Sequence, residues 1–106
     1  MAAFSEVQFA VINLAATGTL VAAQAAGVKI RVVALFLVNT AAQNVTFKSG
    51  AAGTALTGPM ALGANAALVL PFSPTGYFET TPAALLEMSL SGITQVSGTI
   101  QWVAVS

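Results

Sequence analysis

The run over residues 28–39, VKIRVVALFLVN, is the longest stretch of β-branched and large apolar residues in the chain. Such a run predicts a strand at the centre of a sheet, and successive side chains of a strand point to opposite faces. The predicted core face carries Val28, Ile30, Val32, Ala34, Phe36 and Val38. The opposite face is charged at its start and apolar further on, and it carries Lys29, Arg31, Val33, Leu35, Leu37 and Asn39. An apolar outer face predicts a cover, either another part of this chain or another subunit.

The rest of the chain indicates an all-β fold. Short runs of β-forming residues alternate with turns rich in Gly, Pro and Asn, and strands are predicted near 6–14, 19–23, 44–48, 54–57, 60–62, 66–70, 86–91 and 95–105. Val45 and Phe47 are expected to point inward, and Gly98 is a candidate β-bulge. One helical turn is predicted after Thr81-Pro82. We therefore expect a single domain over 1–106, an antiparallel β-sandwich of jelly-roll type with about eight short strands and an N-terminal arm, 1–5.

The residue types in the chain exclude most catalytic and metal sites. There is no His, Cys or Asp, so metal clusters and Ser-His-Asp or Cys-His arrangements cannot be assembled. Glu79 and Glu87 are the only glutamates close in sequence, and a pair of carboxylates would be required for glycoside hydrolysis. The simpler interpretation is that Glu79 is a charge on a loop and Glu87 a solvated charge on a strand. We expect no enzyme activity, no cofactor and no bound metal.

Charge and hydropathy limit the partners and the location. Three basic residues balance three acidic ones, too few for a nucleic-acid surface. The longest uninterrupted apolar run has seven residues, 32–38, whereas a membrane-spanning helix needs about 20. The first residues lack the basic start of a secretory signal. The chain is therefore expected to bind neither nucleic acid nor membrane and to be made in the cytoplasm.

Four segments resemble a known family. They are Asn44-Val45-Thr46-Phe47-Lys48-Ser49-Gly50, Leu56-Thr57-Gly58-Pro59-Met60-Ala61-Leu62, Pro71-Phe72-Ser73-Pro74-Thr75-Gly76-Tyr77-Phe78-Glu79-Thr80 and Gln95-Val96-Ser97-Gly98. From the central strand to the end, the chain is similar to small virion proteins of tailed bacteriophages, the head decoration or cement type. The first 27 residues carry no such similarity.

The resemblance implies a structural role on the virion. Proteins of this kind are typically β-sandwiches or jelly rolls that form homotrimers over junctions of the major capsid protein. Binding only the assembled shell would stabilise that state by mass action, and several simultaneous contacts would add to the effect. We expect the oligomer interface at Val33, Leu35 and Leu37. Capsid contacts are expected first from the arm and second from the 71–80 loop, at Ala2, Ala3, Phe4, Phe72, Tyr77 and Phe78.

Another class of function fits the same sequence. A receptor-binding or glycan-binding module of a tail or fibre would use exposed aromatic side chains of the loop, such as Phe72, Tyr77 and Phe78. Tyr77 lies in a loop, where a core role and a contact role are equally expected. Trp102 has the inward phase of its strand, which favours a core role.

Overall fold

The computed structural model describes residues 6–106 of the chain. Ten strands run through this part, and every strand pair is antiparallel. They are β1 (Gln8–Leu14), β2 (Gly18–Val21), β3 (Lys29–Asn39), β4 (Gln43–Ser49), β5 (Thr54–Ala55), β6 (Met60–Leu62), β7 (Ala67–Leu70), β8 (Phe78–Glu79), β9 (Leu86–Leu90) and β10 (Val96–Val105). Since residues 6–106 contain no helix, this part also contains none that is long and apolar enough to cross a membrane.

The strands form two five-stranded sheets. The first has the order β1-β10-β3-β7, and β8 pairs with an earlier part of β3 on the same side as β7. The second has the order β2-β9-β4-β5, and β6 also pairs with β4 on the same side as β5. Because β5 and β6 share one edge of β4, and β7 and β8 share one edge of β3, the ten strands occupy eight positions. Their order is that of a jelly roll, with the first and last strands adjacent. The predicted antiparallel β-sandwich is confirmed. The strand that was not predicted is β8, which lies within the predicted 71–80 loop.

The core lies between the two sheets and draws on both. Val45 and Phe47 of β4 point inward as predicted, as do alternate residues of β9 and β10. The buried apolar side chains of this core include Ile12, Ile30, Val32, Leu35, Leu37, Phe47, Leu86, Met88, Leu90, Val96, Ile100 and Trp102. Trp102 is thus a core residue. Each such side chain contributes about 1.5–3 kcal/mol by leaving water, and this burial is what holds the two sheets together.

Strand β3 changes its side-chain phase at Val33. In its ladder with β10, Gln101 lies opposite Ala34 and Trp102 lies opposite Val32, so Val33 has no opposite residue. Such an extra residue is a β-bulge, and it shifts the inward and outward alternation by one position. Ile30 and Val32 therefore point to the core before the bulge, and the inward positions after it are Leu35, Leu37 and Asn39. The predicted core face is right for the first half of β3 and wrong for the second half, where Phe36 and Val38 are exposed.

Gly98 is not the site of the bulge. It lies opposite Leu37, where β10 approaches β3 so closely that a Cβ atom would overlap the Phe36 carbonyl oxygen and lie 2.8 Å from the Leu37 Cα. Glycine is required here because it has no Cβ.

The segment after Thr81-Pro82 is a reverse turn rather than a helical turn. The Ala84 N–H donates to the Thr81 carbonyl oxygen at 3.3 Å, and Ala83 has a φ of 60°. Pro at the second position followed by a left-handed third residue is typical of a type II turn. The turn leads the chain from β8 in the first sheet to β9 in the second.

Candidate binding face

The outer surface of the first sheet carries a row of apolar side chains that crosses four strands. The ladders place Val11 of β1 opposite Thr99 of β10, Thr99 opposite Phe36 of β3, and Phe36 opposite Val69 of β7. Directly opposite residues of antiparallel strands project from the same face. Three of the four positions in this row are therefore large and apolar, on the side of the sheet away from the core.

The neighbouring rows and the loop after β7 extend this surface. Val11 is 69% exposed, Phe36 52% and Val69 64%. Together with the three exposed residues next to the row, they form what we call the apolar face: Phe9, Val11, Phe36, Val38, Val69 and Phe72. Phe36, Val69 and Phe72 also line a shallow groove of about 170 Å³ in the middle of this face.

The apolar face is as large as the largest apolar patches of ordinary monomers and somewhat smaller than one side of a standard protein interface. Its six side chains expose on the order of 600 Å² of apolar surface, with about 200 Å² taken for a whole aromatic side chain. A standard interface takes about 800 Å² from each partner, whereas the largest apolar patch on an ordinary monomer is about 300–600 Å². The apolar area of the face is therefore at the top of the range for patches on monomers and approaches the area that one partner contributes to a standard interface.

The charged side chains of the strands lie at the other end of this sheet and on the second sheet. Lys29 and Arg31 precede the bulge, and the Arg31 guanidinium lies 3.5 Å from the Glu79 carboxylate across the β3–β8 ladder. The outer face of β3 is therefore charged at one end and apolar at the other, as predicted, but with different apolar residues.

The predicted oligomer seam at Val33, Leu35 and Leu37 is wrong in its location. Leu37 is fully buried, and Val33 and Leu35 are 1% and 3% exposed within a single chain. The bulge turns Leu35 and Leu37 into the core, so neither is available to a second subunit without unfolding the sandwich. Phe36 and Val38 occupy the outer positions instead.

The aromatic residues of the 71–80 loop divide between surface and core. Phe72 is 57% exposed and adjoins the apolar face, and Tyr77 is 41% exposed, with its hydroxyl donating to the Pro71 carbonyl oxygen. Phe78 is half-buried and packs against the buried ring of Phe47, with centroids 5.1 Å apart, and its predicted role as a contact residue stays a prediction. The other predicted contacts, Ala2, Ala3 and Phe4, lie outside the described residues.

Glu79 and Glu87, the two glutamates that are close in sequence, lie in different sheets. Glu79 belongs to β8 in the first sheet and lies beside Arg31. Glu87 belongs to β9 in the second sheet, where it is only 7% exposed and accepts a hydrogen bond from the Ala52 N–H at 2.8 Å. Glu87 is therefore a buried loop anchor rather than the solvated charge expected from the sequence. No group of three or more His, Cys, Asp or Glu side chains is placed to hold a metal within residues 6–106.

Sequence reasoning missed Phe9, Val11 and Val69 as members of the apolar face. In β1, both the outward residues Phe9 and Val11 and the inward residues Ala10 and Ile12 are apolar, so hydrophobic alternation does not separate the two faces. The signal that does separate them is the register with β10, where Val11 shares a row with Thr99. That register is a property of the fold and is not visible in the strand alone.

Comparison of the chain with models of protein families, with curated proteins and with solved structures found no match. The likeness to phage decoration proteins therefore stays a prediction from the four sequence segments.

Proposed function

We propose that the chain is a non-catalytic structural protein of a phage virion, a decoration or cement protein that binds the outside of the assembled head. The observation that carries the proposal is the apolar face, an uncharged surface of near-interface size on a fold with few reactive side chains. The fold itself does not decide the matter, because jelly rolls occur in viral capsid proteins and in lectins alike.

The proposed mechanism is stabilisation by selective binding. A protein that binds the major capsid protein only in the assembled shell shifts the equilibrium toward the shell by its binding free energy. The apolar face supplies that free energy through removal of apolar surface from water. We propose that the chain acts as an oligomer, for which the resemblance implies a homotrimer, and that several faces bind one head together.

Co-sedimentation with phage heads tests this function. Heads of the phage that encodes the chain, prepared without it, would be mixed with wild-type protein and with the double variant Phe36→Thr, Val38→Thr. We expect wild type to sediment with the heads and the variant to bind about tenfold more weakly or worse, since central apolar side chains dominate interface free energies. The matched control is Asn44→Ala, Thr46→Ala on the second sheet, which should bind as wild type. Failure of wild type to bind any heads would overturn the proposal.

A glycan-binding module of a tail or fibre is the second candidate, and the exposed rings of Phe72 and Tyr77 favour it. Such a module would bind an oligosaccharide saturably, and Tyr77→Ala would abolish that binding while binding to heads was absent. If the chain decorates the head, we expect it to bind heads and not to bind the oligosaccharide.

A further inference from the structure

Strand β1 is the edge strand of the first sheet, and its outer edge is unpaired within residues 6–106. Within residues 6–106, no strand pairs with β1 on the side away from β10. Its sequence, QFAVINL, contains no charge and no proline, and its seven residues pair with β10 without a register shift. A long, regular, apolar edge of this kind is a template for pairing with another strand, and proteins usually protect such edges.

The other edges of the sandwich are protected in the ordinary ways. The remaining edge strands have two to four residues each. Pro59 directly precedes β6 and Pro71 directly follows β7, and proline cannot donate to a ladder. Short length and flanking proline are devices that limit edge pairing. The contrast singles out β1 as an edge that is built to be paired.

We propose that β1 pairs with β1 of a second copy of this chain, antiparallel and about a two-fold axis at Val11. Residues 6–106 offer one edge of this kind, so a contact between the β1 edges of two copies occupies both edges and closes the assembly. Pairing β1 with a different edge would leave one edge open on each side and would propagate into a chain of subunits. The partner that the edge fits is therefore a second copy.

The antiparallel direction follows from charge and from the apolar face. Glu6 is the charged residue nearest to β1. Antiparallel pairing centred on Val11 separates the two Glu6 residues by about 30 Å, whereas parallel in-register pairing would place them side by side. The same axis joins the two Val11 side chains, so that the row from Val11 to Val69 continues into its symmetry mate. One sheet of ten strands then presents a doubled apolar face.

This inference deepens the proposed function, because a doubled face would bind the head at two places at once. The pairing itself is a property of the protein in solution and does not depend on the head. An isologous two-fold contact builds even-numbered assemblies, so the inference predicts a dimer or a pair of trimers rather than a lone trimer.

Cysteine cross-linking tests the pairing, because the chain has no cysteine of its own. Directly opposite Cα atoms of an antiparallel pair lie about 4.5–5.5 Å apart, within the range of about 4.4–6.8 Å that a disulfide spans. We expect Val11→Cys to form a covalent dimer under mild oxidation. Val69→Cys, similarly exposed on the same face but on β7 at the opposite edge of the sheet, is the matched control and should stay monomeric on a non-reducing gel. Phe9→Cys mixed with Asn13→Cys should also cross-link, which checks the register.

The native mass gives an independent readout. Light scattering after size exclusion should give an even multiple of the 10.6 kDa chain mass, and Val11→Lys should halve it while Val69→Lys does not. Mixing Val11→Lys with Val11→Glu should restore the wild-type mass. A wild-type monomer, an odd-numbered oligomer or the absence of Val11→Cys dimers would overturn the pairing. If the dimer forms and heads are not bound, the pairing stands and the proposed function fails.

Discussion

The two outer faces of the sandwich have the same architecture and opposite chemistry. On the second sheet, the ladders align Thr19 with Glu87 and Glu87 with Lys48, and Thr46 with Ser89. On the first sheet, large apolar side chains hold outward positions of β1, β3 and β7, namely Phe9, Val11, Phe36, Val38 and Val69, and the outward residues between them on β10 are polar. Each sheet covers one side of the same core, so the demands of folding do not account for the difference.

The comparison separates stability from function. An antiparallel sheet in a sandwich commonly has one face on the core and a polar face in water. The second sheet follows this rule except at Glu87, which is buried where it accepts the hydrogen bond from Ala52. The first sheet departs from it over the apolar face, where exposure of large side chains brings no folding free energy. We interpret the departure as the mark of a surface that is covered by another molecule.

The largest expected loss of stability comes from adding a side chain where β10 lies closest to β3, at Gly98. Gly98→Ala should lower the free energy of unfolding by about 4 kcal/mol or more, because the new methyl group overlaps backbone atoms of β3 that cannot rotate away. Urea unfolding followed by tryptophan fluorescence measures the loss. Gly63→Ala is the control, since a Cβ there meets nothing within 4 Å. Equal stability of the two variants would contradict the close packing of β10 on β3.

A smaller effect distinguishes the two sides of β3 directly. Leu37→Ala should cost about 3 kcal/mol in unfolding free energy because Leu37 is fully buried, whereas the adjacent Val38→Ala should cost less than about 0.5 kcal/mol. Urea midpoints of the two variants measure the difference. The opposite ranking would restore the face assignment made from the sequence and remove the apolar face from β3.

The smallest expected effect is a gain in stability from a substitution in a turn, which leaves the outer faces of both sheets unchanged. Ala83 has a left-handed backbone in the turn that joins the two sheets, and Ala83→Gly should raise the unfolding free energy by about 0.5 kcal/mol, since glycine adopts this conformation without strain. The control is Ala64→Gly, where φ is not positive and glycine should lower stability. Thermal melting of both variants gives the sign, and destabilisation by both would argue against the turn.

The fold was predictable from sequence, and the face was not. Strand positions and the sandwich class followed from β-forming runs and turn residues, and the inward phase of β4, β9 and β10 followed from alternation with polar residues. In β3, both sides of the run over 32–38 are apolar, so alternation carries no information about which side is buried. The bulge at Val33, which decides it, depends on pairing with β10, and a single strand's sequence does not contain that pairing.

The central claim, that the apolar face is covered in the assembled particle, is tested most directly by thiol labelling. Phe36→Cys and Asn44→Cys place a lone thiol on the first and the second sheet, at positions exposed in the single chain. Labelling rates would be compared for the isolated chain after dilution and for virions that carry it. We predict that incorporation slows labelling at position 36 by about tenfold or more and leaves position 44 nearly unchanged, because burial excludes the reagent. Equal rates at position 36 in the virion and in the isolated chain would contradict the account.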